Sequence, residues 1–159
     1  MRTLRLDAGP NTVHWGYFDA ALKPLVTVEP GDEIILSTVS GLPNQMPNPG
    51  SGLIVPAVLP AIHAGVPQKL NGPHIMTGPV AVRGAKAGQV LEVRIKAIDL
   101  NYDWGYNMIR PLAGALPDDF KNARIIHIPL DRVRMVGRLP WGLERPVKPI
   151  FGVMVGVPP

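Results

Sequence analysis

The chain has 159 residues, which is enough for one domain with a substantial core, and 46% of them are hydrophobic. The formal net charge is +4, but the Lys and Arg residues are dispersed, so the sequence predicts no nucleic-acid partner. The absence of cysteine excludes disulfides, thiolate metal sites and a cysteine nucleophile. No run approaches the ~18–20 consecutive apolar residues of a membrane span, and the N-terminus lacks an apolar signal core. We therefore expect a soluble cytoplasmic protein with no membrane partner.

Strand signals dominate the first half of the chain, because 19 Pro and 17 Gly residues recur too often for long helices. We predict strands at Pro24–Val28 and Glu33–Val39. The turn Glu29–Asp32 joins them, with Pro and Gly at the positions that type II turns prefer. Gln89–Leu100 shows the cleanest alternation of apolar and charged residues, which predicts a strand with one buried face.

The second half continues the pattern with a predicted strand at Arg124–Leu130. Pro129 indicates that this strand lies at a sheet edge or ends there. Val133–Val136 and Ile150–Val155 are shorter strand candidates. We expect residues 1–159 to form a single β-rich unit.

The residues that could carry chemistry are few, since no Gly-x-Ser-x-Gly elbow and no phosphate-binding glycine loop is present. Four histidines occur, His14, His63, His74 and His127, without a close His-x-x-x-His pair. His74 lies between two Gly-Pro corners that stiffen the backbone, so its imidazole can be aimed at a fixed point. We expect His63 and His127 to be structural.

His14 begins the segment His-Trp-Gly-Tyr-Phe-Asp, which places an imidazole, the Trp15 ring and the Asp19 carboxylate within six residues. Asp19 could orient an imidazole or hold a cation, or it could be a turn residue. Trp104 and Tyr106 form a second aromatic cluster that could line a small pocket or cover the edge of a core.

Six segments, taken in chain order, resemble the acetamidase/formamidase family. They are His14–Asp19, Val28–Glu33, Gly72–Val80, Val90–Ile95, Asp103–Asn107, and Leu139–Leu143 leading to Phe151–Met154. Together they cover nearly the whole chain. The resemblance implies a mostly β fold of sandwich and barrel-like modules with few short helices. It also implies hydrolysis of formamide or acetamide to a carboxylate and ammonia.

An amide resists attack by water, so its hydrolysis needs a polarised carbonyl, an activated water and a protonated leaving nitrogen. On this interpretation the catalytic residues are His74, His14 and Asp19, and the substrate-binding residues are Trp15, Trp104 and Tyr106. His14 and His74 are also the candidate ligands of a divalent metal, Zn or Ca.

The family's members are roughly twice as long, and a later Gly-, Asp-, His- and Glu-rich segment of theirs has no counterpart here. The chain is therefore expected to resemble an N-terminal half that works with a C-terminal half or as a homo-oligomer, since unpaired strand edges favour self-association. Two alternatives stay open. One is a non-catalytic β-sandwich module for binding or oligomerisation, and the other is a different enzyme class, such as a decarboxylase, on the same scaffold.

Overall fold

The computed structural model describes residues 1–157, and their elements are mostly short strands. The strands are β1 Thr3–Leu6, β2 Val13–Trp15, β3 Val26–Val28, β4 Glu33–Leu36, β5 Ile75–Thr77, β6 Val80–Val82, β7 Trp104–Ile109, β8 Arg124–Asp131, β9 Val136–Arg138 and β10 Glu144–Pro146. One α-helix, α1 Val58–Gly65, and one 3₁₀ turn, Pro43–Gln45, accompany them in this range. The predicted mostly β class with few short helices is confirmed.

The described residues group into two compact units. The first contains Met1–Asn44, Pro56–Lys96 and the described residues from Phe151 onward, and the second contains Gln45–Val55 and Ala97–Ile150. The expectation of a single unit over residues 1–159 stays a prediction.

The first unit holds three strand pairs and α1. Strand β1 runs parallel to β4, and β3 runs parallel to β6, whereas β2 and β5 are antiparallel. Parallel partners need long connections, and here each pair joins segments that are distant in the sequence. The core of this unit is apolar, and its most deeply buried side chains are Leu59 and Ile62 of α1.

The predicted turn Glu29–Asp32 is confirmed. The Asp32 N–H donates to the Glu29 carbonyl at 3.0 Å, and Gly31 has φ of +89°, which a type II turn requires at that position. The strand that follows is shorter than predicted, because β4 ends at Leu36 and not at Val39.

The second unit is built on an antiparallel sheet in the order β10-β9-β8-β7. The prediction that the strand ends at Pro129 was wrong, because β8 continues to Asp131, but at Pro129 itself the strand is paired with β7 alone. The Leu130 N–H donates toward β7, at 2.7 Å from the Asp103 carbonyl, so the nitrogen of Pro129 faces the β9 side. Because pairing with β9 begins only at Leu130, no hydrogen bond of the β8–β9 ladder is lost through the N–H that Pro129 lacks.

Three further strand predictions differ from the structure. The carboxylate of Asp131 accepts hydrogen bonds from the Val133 and Arg134 N–H groups, at 3.1 and 2.9 Å, and this turn delays the strand predicted at Val133 until Val136. No strand forms at 89–100 or at 150–155. None of the strands within residues 1–157 pairs with segment 89–100, so its alternation alone does not produce a strand.

Across residues 1–157, no helix has the length and apolar character to cross a bilayer.

Candidate functional site

The His14 and His74 stretches are neighbours in the first unit. In the β2–β5 ladder His14 lies opposite Met76 and Trp15 lies opposite Ile75. One step further, the Gly16 N–H donates to the His74 carbonyl at 2.9 Å. The antiparallel pairing therefore joins the two motifs that the sequence analysis expected to form one site.

A close backbone contact fixes the loop beside this ladder. Gly16 has φ of +90°, and a β-carbon there would lie 2.1 Å from the Lys69 carbonyl oxygen. A β-carbon on Gly72 would lie 2.2 Å from the Gly16 carbonyl oxygen. Only glycine allows this approach. The loop is further held because the Lys69 N–H donates to the Trp15 carbonyl at 2.9 Å.

A cavity of about 290 Å³ lies between β2 and the segment that follows α1. Three of its lining residues are polar or ionisable: His14, Tyr17 and Lys69. The other lining residues are Pro10, Val13, Trp15, Leu22, Gly65, Val66 and Pro67, and most of them are apolar. The volume lies at the lower end of the range for small-molecule sites, and the combination of apolar walls with few polar groups is typical of them.

The imidazole of His14 is the chemically versatile group of this cavity. Its ring meets the Tyr17 ring edge to face, with the centroids 5.4 Å apart. Its Nδ1 atom is buried and has no hydrogen-bond partner in the structure. Because a buried polar atom without a partner costs about 1–3 kcal/mol, Nδ1 would gain from a polar ligand group.

Lys69 supplies positive charge at the same cavity. Its ammonium lies 4.8 Å from the centre of the Tyr17 ring, a cation–π contact. Tyr17 thus contacts both the imidazole and the ammonium. The cavity is therefore lined by an imidazole that can accept a hydrogen bond or a proton and by an ammonium that can stabilise a negative oxygen.

Asp19 lies in an exposed turn. Its Oδ1 accepts the Ala21 N–H at 2.8 Å, and its carbonyl accepts the Leu22 N–H at 3.3 Å. An aspartate bonded to the backbone two residues onward stabilises the turn itself. This geometry matches the turn-residue alternative, and the catalytic assignment of Asp19 stays a prediction.

His74 is exposed and is not among the residues that line the cavity. Within residues 1–157, no group of three or more His, Asp or Glu side chains is placed to hold a metal ion. His14 and His74 therefore remain a two-residue candidate set, whereas catalytic zinc sites take three protein ligands.

Trp15 is buried against His63, with ring centroids 5.5 Å apart. The Nε2 atom of His63 lies 3.0 Å from the Gly41 carbonyl, which can only accept, so this nitrogen carries the proton. His63 is thus a packed and hydrogen-bonded residue, as expected. The Nε1 atom of Trp15 is buried without a partner in the structure.

Trp104 and Tyr106 belong to the second unit. Trp104 is 4% exposed, and its indole N–H donates to the Ile54 carbonyl at 2.8 Å. The Tyr106 hydroxyl donates to Oε1 of the buried Gln45 at 2.8 Å. These contacts match the alternative that the two residues cover the edge of a core. The assignment of Trp104 and Tyr106 to substrate binding stays a prediction.

His127 and Tyr102 complete this aromatic cluster. His127 lies opposite Tyr106 in the β7–β8 ladder, and its Nε2 donates to the Gln45 carbonyl at 2.8 Å. The Tyr102 ring stacks on Trp104 at 5.6 Å, and desolvation raises the pKa of its phenol to about 12. The cluster is thus a hydrogen-bonded packing centre in which the Tyr102 phenol stays neutral.

Sequence reasoning missed Lys69. No residue pattern around it indicates chemistry, and it reaches the site because Gly16 and Gly72 let its loop contact the end of β2. Tyr17 lay within the aromatic motif, but its contact with both ionisable groups depends on the tertiary structure.

Comparison with known proteins gives a consistent result. The model of the acetamidase/formamidase family matches residues 11–159. No match was found among the curated proteins. Among solved structures, an acetamidase from Bacillus halodurans is similar, with a TM-score of 0.56 and 20% sequence identity over 89% of this chain. The aligned region is 42% of that acetamidase, so this chain spans less than half its length. Because the family match extends over nearly all of the sequence, the chain belongs to the acetamidase/formamidase family.

Proposed function

We propose that this chain acts in the hydrolysis of small aliphatic amides, formamide or acetamide, to a carboxylate and ammonia, and that the His14 cavity binds the amide. Membership of the family supports amide hydrolysis in general. The observation that carries the proposal for this site is the buried, unpartnered Nδ1 of His14 in a cavity of about 290 Å³ that Lys69 also lines.

The lining of the cavity suits a small amide. Its apolar walls suit a hydrogen or a methyl group on the carbonyl carbon, and its few polar groups suit one amide function. A water molecule beside the bound amide can donate to Nδ1 of His14, the nitrogen that then accepts its proton. The carbonyl oxygen can accept from the Lys69 ammonium, whose charge also suits the carboxylate product.

The reaction then needs one base and one cation. His14 takes a proton from water as the water oxygen bonds to the carbonyl carbon, and Lys69 stabilises the oxyanion that forms. When the tetrahedral intermediate collapses, the C–N bond breaks and the His14 imidazolium gives its proton to the leaving nitrogen. Ammonia departs, and the carboxylic acid product loses its proton to solvent.

A metal would supply Lewis-acid polarisation of the carbonyl and a more acidic water. Two histidines fall short of the three protein ligands of a catalytic zinc, and calcium prefers oxygen ligands, so the described residues do not fit either ion.

Ammonia release by the purified chain tests the proposal. Formamide and acetamide are compared with benzamide, an aromatic amide, each with and without added Zn²⁺. We expect faster release from the two small amides than from benzamide. Absence of release from every amide, with or without Zn²⁺, would contradict hydrolysis by this chain.

A further inference from the structure

The aromatic ring of Tyr17 is the common neighbour of the two ionisable side chains to which the proposed hydrolysis gives a role. The imidazole of His14 meets it edge to face, with the centroids 5.4 Å apart, and the Lys69 ammonium lies over it at 4.8 Å from its centroid. All three residues line the same cavity. The ring itself takes part in no step of the reaction as described, so its place beside both groups calls for a role of its own.

Lys69 depends on this ring to keep its ammonium at the cavity. It is an exposed residue, and within the described part of the chain its ammonium forms no ion pair with a carboxylate. A lysine side chain has many rotamers, and a charge at its end is free to move unless a contact favours some of them. The face of an aromatic ring attracts a cation, so the Tyr17 contact favours the rotamers that hold the charge beside the cavity.

The edge-to-face contact restrains the His14 imidazole as well. This arrangement is favourable because the positive edge of one aromatic ring meets the negative face of the other. The buried Nδ1 atom of His14 has no hydrogen-bond partner in the structure, so no hydrogen bond at this nitrogen orients the imidazole. The Tyr17 ring therefore contributes to the direction in which the imidazole points.

Backbone contacts fix Tyr17 where both groups can reach it. It follows Gly16, whose carbonyl lies so close to Gly72 that a β-carbon there would be 2.2 Å from the oxygen. On the same side, the Lys69 N–H donates to the Trp15 carbonyl at 2.9 Å. The backbones that carry the ring and the ammonium are thus held together by the same loop contact.

We propose that Tyr17 is a positioning residue, whose ring holds the Lys69 ammonium and the His14 imidazole at the cavity. The role belongs to the ring and not to the hydroxyl, because both contacts are made by the ring. Its importance for catalysis rests on the proposed function, whereas the positioning itself can be measured without turnover.

Nuclear magnetic resonance of the Lys69 ε-methylene group, which carries the ammonium, tests the positioning directly. The ring current of Tyr17 should shift these protons upfield in wild type and in Tyr17→Phe, which keeps the ring. In Tyr17→Leu the protons should move to the position of exposed lysines. Phe18→Leu is the matched control, because it removes the neighbouring ring, which is 50% exposed and does not line the cavity.

The value of kcat/KM for acetamide tests the consequence for the reaction. Tyr17→Leu should lower it about 3- to 10-fold, since a cation–π contact near the surface is a modest attraction. Tyr17→Phe should retain most of the activity, and Phe18→Leu should stay within about twofold of wild type. If the ring acts through the ammonium, adding Tyr17→Leu to Lys69→Gln should cost less than the product of the two single effects.

Three results would overturn the proposal. They are Lys69 resonances that are the same in wild type and Tyr17→Leu, a Tyr17→Phe variant as slow as Tyr17→Leu, and fully multiplicative effects in the double variant. If wild type releases no ammonia, the proposed hydrolysis fails, and the ε-methylene resonances alone decide the role of Tyr17. Circular dichroism of each variant confirms that it is folded.

Discussion

Gly16 and Gly72 are in direct backbone contact, so close that a β-carbon on Gly72 would lie 2.2 Å from the Gly16 carbonyl oxygen. This contact holds the Lys69 loop against the end of β2. It thereby places the Lys69 ammonium over the Tyr17 ring, whose other neighbour is the imidazole of His14. The position of Lys69 at the cavity thus depends on the two glycines.

Gly16→Ala should destabilise the protein by at least ~2 kcal/mol more than Gly88→Ala. Both positions have positive φ, +90° and +85°, which costs a non-glycine residue roughly 1–2 kcal/mol. Only at Gly16 would the new methyl group also meet backbone, 2.1 Å from the Lys69 carbonyl, whereas nothing lies within 4 Å at Gly88. Urea unfolding measures both variants, and equal losses would show that the close contact is not a constraint.

His14→Gln should lower kcat for acetamide by roughly 100-fold or more, because it removes the base that accepts the proton of water. His74→Gln is the matched histidine variant. Since His74 is exposed and does not line the cavity, kcat should change little. A loss in His74→Gln as large as in His14→Gln, relieved by added Zn²⁺, would favour a metal site held by both histidines over the proposed base.

Lys69→Gln should reduce kcat/KM for acetamide by about 10- to 100-fold, because a neutral amide stabilises an oxyanion less well than an ammonium. Arg110→Gln removes one positive charge at an exposed site in the second unit and serves as the control. Equal effects of the two changes would indicate a general charge effect and no specific role for Lys69.

Asp32→Asn should remove an acid-sensitive part of the stability. The pKa of Asp32 is lowered to about 2 from 3.8, chiefly because its carboxylate accepts the Arg2 N–H and next because it accepts the Glu29 N–H. A lowered folded-state pKa gives stabilisation that is complete above the unfolded value of 3.8 and is lost as the pH falls through about 2. The advantage of wild type over the variant, measured by urea unfolding, should shrink over that window. A difference that is constant with pH would contradict this.

The sequence predicted those features that depend on local chemistry. The turn at Glu29–Asp32 follows from the conformations of Pro and Gly, and β8 follows from alternation and β-branched residues. Segment 89–100 shows the limit of the same reasoning, because a strand also needs a partner ladder that periodicity cannot provide. The proximity of His14 to Tyr17 was readable from the motif, whereas that of Lys69 arises from a glycine contact between distant segments.

The most direct test of the account is whether acetamide enters the cavity beside His14. The ¹⁵N imidazole resonances of the labelled chain, titrated with acetamide and compared in wild type, Lys69→Gln and Arg110→Gln, report binding without requiring turnover. The account predicts a saturable shift of the His14 resonances in wild type and in Arg110→Gln, with no comparable change at His127, and weaker binding in Lys69→Gln. Unchanged His14 resonances at saturating acetamide would contradict it.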